Sequence, residues 1–365
     1  MGHMSLWNKR NNRSDIYMRP ILTITLYLFA LLPTALPAQQ SFRIMTYNVE
    51  NFFDTKDDPA KDDNEFTPSG SRHWTSSRYY HKTQQIAKVI AAAGEWDTPA
   101  LVGLCEIEND TVLHHLLQHT PLRQQHYHYC MTHGQDTRGI NVALLYQRDK
   151  FGYLGHEEHP VKFSRKTHKS TRNILHSWGK VVNGKILDVF VCHLPSRYGG
   201  EKESETDRTD AARTLRQLCD SLHTVRDELQ IIIMGDFNDT SVNASISKIL
   251  NATPAQMIQS DKEITTNTLF FLKPEKNKQA KGSYKFQGEW SCIDQIIVSA
   301  NLIRRQSSMH LSNDLCKIFS PSFLLTDDKT WRGKRPYRSF YGYKYEGGYS
   351  DHLPIIAEFY VSLPN

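Results

Sequence analysis

The chain lacks internal repeats and low-complexity tracts, and no Gly/Ser-rich or Pro-rich linker interrupts it beyond its first 38 residues. That excludes a solenoid or a string of tethered modules; 327 unbroken residues can bury one large core. Charge of one sign is also missing. Without residues 1–38 the basic residues fall from 44 to 40 and the acidic ones from 39 to 38, so the formal charge is +2 rather than +5. A domain so near neutrality has no global field for a polyanion, and any electrostatic footprint must be local. The six cysteines match no zinc spacing. An exported chain could pair them in up to three bridges. Cys105, Cys192 and Cys292 sit inside apolar runs, however, where free thiols packing as small hydrophobes are expected.

Long apolar runs are scarce too. Ile21 to Leu36 is uncharged, follows Arg13 and Arg19, and leads into Pro37-Ala38. It falls short of the roughly 20 residues that span a bilayer and has the layout of a signal peptide. A tilted N-terminal anchor is the alternative. Met18 would be a natural start. We expect residues 1–38 to be an N-terminal extension and signal peptide cleaved near Ala38, and residues 39–365 to be a single secreted or periplasmic domain without a membrane span.

What the sequence does have is a repeated grammar. In QIIIMGDFNDT (Gln230 to Thr240) an apolar run ends at Gly235 and delivers Asp236 and Asn238 at the strand mouth, where α/β proteins keep their chemistry. Alone, this would be a strand followed by an Asx-turn. The pattern recurs: FRIMTYNVENFFD presents Asn48 and Glu50, ALVGLCEIEN Glu106, and ILDVFVCHLPSRYGG His193 and Arg197. WSCIDQIIVS presents Asp294, and GGYSDHLPIIAEF presents Asp351 and His352.

Between these runs the spacing predicts helices from Ser76 or Ser77 to about Ala93, over 111–120 with Asp110 as cap, and over Ser204 to Leu229. Tyr80, Gln84, Ala87, Val89 and Ile90 are expected on the buried side of the first. Strands are expected at His126–Thr132, Ile140–Tyr146, and in a hairpin at Leu175–Val182 and Lys185–His193 turned by Asn183-Gly184. Thr55 to Ser71 reads as a surface loop. His114, His115 and His119 invite a metal reading, which the missing carboxylate partner argues against.

Asn, Glu, His, Asp and Asp-His in this order, with GDFN and a terminal SDH, resemble the endonuclease/exonuclease/phosphatase superfamily. NVENFFD and CEIEN look most like its bacterial secreted nuclease branch. The resemblance implies a four-layered α/β sandwich of two packed mixed β-sheets flanked by helices. It also implies that Asp236 orients or deprotonates the attacking water and that Asn238 contacts a phosphate oxygen. His193 and His352 would flank the phosphorus, and Asp294 would fix the tautomer of one of them. Which group is the formal base stays open.

Ligand chemistry adds a metal. Glu106 is a hard oxygen ligand, Asn48 offers a carbonyl oxygen and Asp351 a second carboxylate, a set suited to Mg²⁺ or Mn²⁺. Glu50 is the motif's second acid. Arg197 is a candidate bidentate phosphate ligand; for Arg138 and Arg172 a structural ion pair is an equal alternative. WRGKRPYRSFYGYKY (Trp331 to Tyr345) mixes cations and rings, the composition of a single-strand platform with Arg335 and Tyr337, or of a loop folded on the core. KGSYKFQGEW is superficially like the inositol-phosphatase branch, but the SCIDQI that follows it is not.

The sequence thus reads as a monomeric exported Mg²⁺-dependent phosphodiesterase acting on DNA or RNA. A phosphatase or phospholipase-C-like esterase of inositol or lipid phosphates is the second reading. A catalytically inactive binding module is the third, weakened by the presence of every expected site residue.

Overall fold

The apolar runs become strands because their β-branched and aromatic side chains pack on pleated surfaces buried on both sides. The computed structural model describes Met1 and residues 39–165, 170–257, 264–265 and 267–363. The expected signal segment, Ile21 to Leu36, lies outside the described residues. In chain order the strands are β1 (Gln39–Phe52), β2 (Leu101–Ile107), β3 (Tyr127–Met131), β4 (Asn141–Gln147), β5 (Phe151–His159), β6 (Ile174–Val181), β7 (Ile186–His193) and β8 (Ile231–Asp236). Then come β9 (Ala252–Pro254), β10 (Leu269–Phe271), β11 (Tyr284–Phe286), β12 (Glu289–Ser291), β13 (Asp294–Ser299) and β14 (Met309–Ile318). The last are β15 (Leu325–Asp327), β16 (Lys334–Pro336), β17 (Phe340–Tyr341), β18 (Lys344–Tyr345) and β19 (Ile355–Ser362).

One sheet has the order β14-β19-β1-β2-β4-β3 and the other β5-β6-β7-β8-β13-β10-β9. Both are mixed: β1–β2 and β7–β8 run parallel, whereas β1–β19 and β8–β13 run antiparallel. Ile44 and Leu144 of the first sheet meet Val189, Ile232 and Ile296 of the second in one buried interior. The outer face of the first sheet packs on helices Ser76–Gly94 and Asp110–Gln118 through residues such as Ile86, Val89 and Leu116. Helix Glu205–Leu222 covers the second with Ala211, Ala212 and Leu215. This is the expected four-layered sandwich.

Several local expectations shift. Thr75 caps the first helix, with its side chain accepting from Arg78 N–H, and Asn109 rather than Asp110 caps the second. Tyr80 and Gln84 are exposed, and the buried stripe instead runs through Tyr79, Lys82, Thr83 and Ile86. Ala87, Val89 and Ile90 are buried as expected, so the difference is confined to the helix's N-terminal half, where a lysine is taken inside. The third helix ends at Leu222, several residues before the expected stop. The cysteines are free thiols, with only Cys292 partly exposed. No helix among the described residues is long and apolar enough to cross a membrane.

Candidate active site

Register brings the motifs together. Asp236 at the end of β8 pairs with His193 at the end of parallel β7 and with Asp294 at the start of antiparallel β13. Gly235 is required between them: its φ is +144°, and a Cβ there would stand 1.9 Å from the Cys192 carbonyl oxygen. In the facing sheet Asn48 of β1 lies beside Cys105 of β2, one residue before Glu106. Glu50, Asn51, Glu106 and Asn238 all hold left-handed φ, between 50° and 67°. Four such non-glycine residues at strand ends are strained backbone concentrated where side chains must be re-aimed.

Asp236 is the hub. Its Oδ2 lies 3.5 Å from His193 Nε2 and 3.8 Å from His352 Nε2, and it accepts from Asn48 Nδ2 at 3.0 Å. Oδ1 accepts from the Asn238 N–H at 2.8 Å. Burial and the nearby Asp294 outweigh the opposing pull of His352 and push its carboxyl up to about 7. His352 Nδ1 meets Asp294 Oδ2 at 2.8 Å, an oxygen that also accepts from Ser283 Oγ. Burial disfavours the His352 cation, yet Asp294 and Asp236 together hold it well above the ordinary imidazole range. His193 goes the other way: burial, then Arg172 and Arg138, push it well down. The two histidines are therefore pushed in opposite directions, the His193 cation disfavoured and the His352 cation favoured.

Glu106 lies 4.0 Å from His193 Nε2, and its other oxygen accepts from the Asn51 N–H at 2.7 Å. Among the described residues no lysine or arginine pairs with Glu106 or Asp236. Two carboxylates converge here on one amide, and of the two Glu106 has no cation bound to it, so its oxygens are the ones that fit a hard divalent ion. Asn48 is turned otherwise than expected: its Oδ1 accepts from the Glu50 N–H, so its NH₂ faces both carboxylates. Asp236, Asp294 and His352 also have ligand atoms within 4.8 Å of one another, but His352 itself neutralises that trio.

Asp351 and Glu50 form a second group. Arg338 donates to Asp351 Oδ2 at 2.7 Å and lies 3.4 Å from Glu50 Oε1, while the Ser339 N–H donates to Glu50 at 2.7 Å. Asp351 thus spends an oxygen on Arg338, where a metal had been expected. Beneath them Lys82 donates to Ser339 Oγ and the Tyr349 carbonyl, each at 2.6 Å.

The expected phosphate and platform residues are placed differently. Arg197 is committed to the Asn238 carbonyl, Asp239, Asn243 and Glu201, and so clamps the loop after β8. Arg172 is buried on Asp136 and the Leu194 carbonyl. Arg138 is half exposed, 3.8 Å from Asp136, and is the least engaged of the three. Arg335 forks onto both oxygens of Glu346 at 2.8 Å, and Tyr337 donates to the Glu346 carbonyl. Both therefore serve the loop's own fold.

Sequence reasoning missed Lys82, Ser283, Tyr284 and Arg338. The Tyr284 ring lies 4.7 Å from the His352 ring. KGSYKFQGEW was singled out without a role for its Ser-Tyr pair; Lys82 carried no signal, because its helix reads as an ordinary amphipath.

An endonuclease/exonuclease/phosphatase family model matches residues 43–361, and the chain belongs to that family of hydrolases. Among solved structures, the fold is similar to that of a family protein from Bacteroides thetaiotaomicron, at 17% identity and a TM-score of 0.51, over 90% of this chain and 98% of that one. It is similar as well to D. rerio TDP2 complexed with a single-strand DNA product, at 13% identity and 0.52, covering 88% and 99%. The B. thetaiotaomicron mannosyl-6-phosphatase aligns at 17% identity and 0.51, covering 87% and 99%. No curated protein matches by sequence.

Proposed function

We propose that the chain is an exported phosphodiesterase that uses Mg²⁺ or Mn²⁺ to hydrolyse DNA or RNA by attack of water on phosphorus. The observation that carries this is Asp236, a buried carboxyl pushed up to about 7, with the Nε2 atoms of His193 and His352 at 3.5 and 3.8 Å from its Oδ2. Such a carboxyl can accept a proton from water at neutral pH, which one near 4 does poorly. His352 donates from Nε2 to an oxygen on which charge develops, its cation supported by Asp294 at Nδ1. His193 presents its Nε2 from the opposite side and Asn238 contributes an amide N–H. A divalent ion at Glu106 would neutralise non-bridging phosphate oxygens. Export rests on the Ile21–Leu36 segment.

The fold does not choose between nucleic acid and a small phosphoester, since its neighbours are named for both. The Trp331–Tyr345 stretch favours nucleic acid, because it keeps rings exposed beside the cleft. The test is the mature protein with Mg²⁺ or EDTA against plasmid, single-stranded DNA, RNA, inositol phosphates and sphingomyelin. EDTA-sensitive cleavage of a polynucleotide supports the reading; turnover confined to monoesters or lipids overturns it.

A further inference from the structure

Seven aromatic side chains stand out as exposed among the described residues: Tyr80, Trp96, Tyr198, Phe286, Trp331, Tyr341 and Tyr343. Three of them, Phe286, Trp331 and Tyr341, line a single pocket of about 250 Å³ and are 61%, 51% and 40% exposed. Scattered surface rings need no explanation, but three around one cavity do. The pocket floor holds Arg338 and Asp351, and Asp351 is the residue before His352. Tyr284, on the same ribbon as Phe286, lies against the His352 ring. The pocket therefore opens beside the group that faces the phosphorus.

Its rings are held in place. The Trp331 N–H donates to Asp328 Oδ1 at 2.9 Å, and a Cβ at Gly288 would meet Trp331 Cβ at 3.2 Å, so the β11–β12 turn packs directly on that side chain. The Arg335 guanidinium lies 4.7 Å over Tyr341 and thickens that wall. Its cations are all engaged: Lys285 with Asp328 at 2.7 Å, Arg335 with Glu346 at 2.8 Å, and Arg338 with Asp351 at 2.7 Å. A second phosphate would find no unpaired charge among these described residues. A neutral planar group would find aromatic faces, two of them braced by the loop itself.

We propose that this pocket is a stacking subsite for one nucleobase of a single-stranded nucleic acid, next to the phosphate being cut. The inference rests on the nuclease reading above and names where its substrate is held. It predicts that selectivity for nucleic acid over small esters comes from Trp331 and Tyr341.

The experiment compares the full mature protein with Trp331→Ala, Trp331→Phe and Tyr341→Ala on two substrates. One is a single-stranded oligonucleotide, intact or with a single abasic nucleotide beside the cleavage site; the other is a chromogenic phosphodiester without a base. Trp331→Ala should lower kcat/KM on the intact oligonucleotide about tenfold or more beyond any change on the small ester. Trp331→Phe should restore most of it. The abasic nucleotide should cost wild type a similar factor and cost Trp331→Ala almost nothing further. Additive losses, equal losses on both substrates, or no loss overturn the subsite while leaving the nuclease reading intact. A wild-type protein that turns over the small ester but no oligonucleotide overturns the nuclease reading itself.

Discussion

His352 Nδ1 lies 2.8 Å from Asp294 Oδ2, and the Nε2 of the same ring lies 3.8 Å from Asp236 Oδ2. One carboxylate fixes the proton on the far nitrogen, and the other sits where a reacting water would lose one. Asp294 acts through His352, which makes it a positioning residue.

That relationship fixes a pH dependence. Burial works against the His352 cation, and Asp294 is the larger of the two carboxylate supports that hold it above the ordinary range. Asp294→Asn removes that support, so His352 loses its proton at lower pH. If the protonated form acts, the alkaline limb of kcat moves to lower pH, and kcat at about pH 8 falls on the order of 10²-fold. A pH profile with a small diester measures it; an unmoved alkaline limb would show that the cation is not the acting form.

Glu106→Gln tests the metal reading. The amide keeps the shape but loses the charge, so Mg²⁺ affinity by titration calorimetry should drop by roughly 10- to 100-fold or more. The fold should persist by circular dichroism. Equal Mg²⁺ binding in both proteins would exclude Glu106 as the principal ligand.

His193→Ala and His352→Ala should each lower kcat by about 10² to 10⁴ with little change in KM, because both rings face the Asp236 oxygen where charge shifts. A rise confined to KM would make them substrate anchors.

Lys82 tests the polar layer beneath the site. Burial lowers its pKa from 10.5 to about 8, against the opposing pull of Glu50 and Asp351. Between about pH 8 and 10.5 the unfolded chain binds a proton that the native chain does not, so stability should rise with pH there, by about 3 kcal/mol at most. Lys82→Met should lack that rise. Urea denaturation of both proteins across the window decides it, since other titrating groups are common to the two.

Arg335→Ala combined with Tyr337→Ala should lower the melting temperature, because both side chains hold Glu346. The loss of a charged fork and a hydrogen bond amounts to about 2–4 kcal/mol. A selective loss on polynucleotide with unchanged stability would return these two residues to the substrate surface.

The sequence by itself determined the sandwich and the polar residues that meet at its strand ends. The clearest case is Ile231 to Met234, an apolar run stopped by Gly235 and Asp236, and a buried strand end has few other ways to be written. Asn48, Glu106, His193, Asp236, Asp294 and His352 were legible because strand ends converge at one edge whatever the loops do. Tertiary structure alone decided the fate of the arginines and of Lys82. A guanidinium has the same composition whether it grips a phosphate or a carboxylate of its own chain. Only the fold brings Asn238, Asp239 and Glu201 to Arg197, Glu346 to Arg335, and Glu50 with Asp351 to Arg338. Lys82 was hidden for the same physical reason: the face a helix buries is set by what it lands on, and in the first turns of this helix that leaves Tyr80 outside and takes a lysine in.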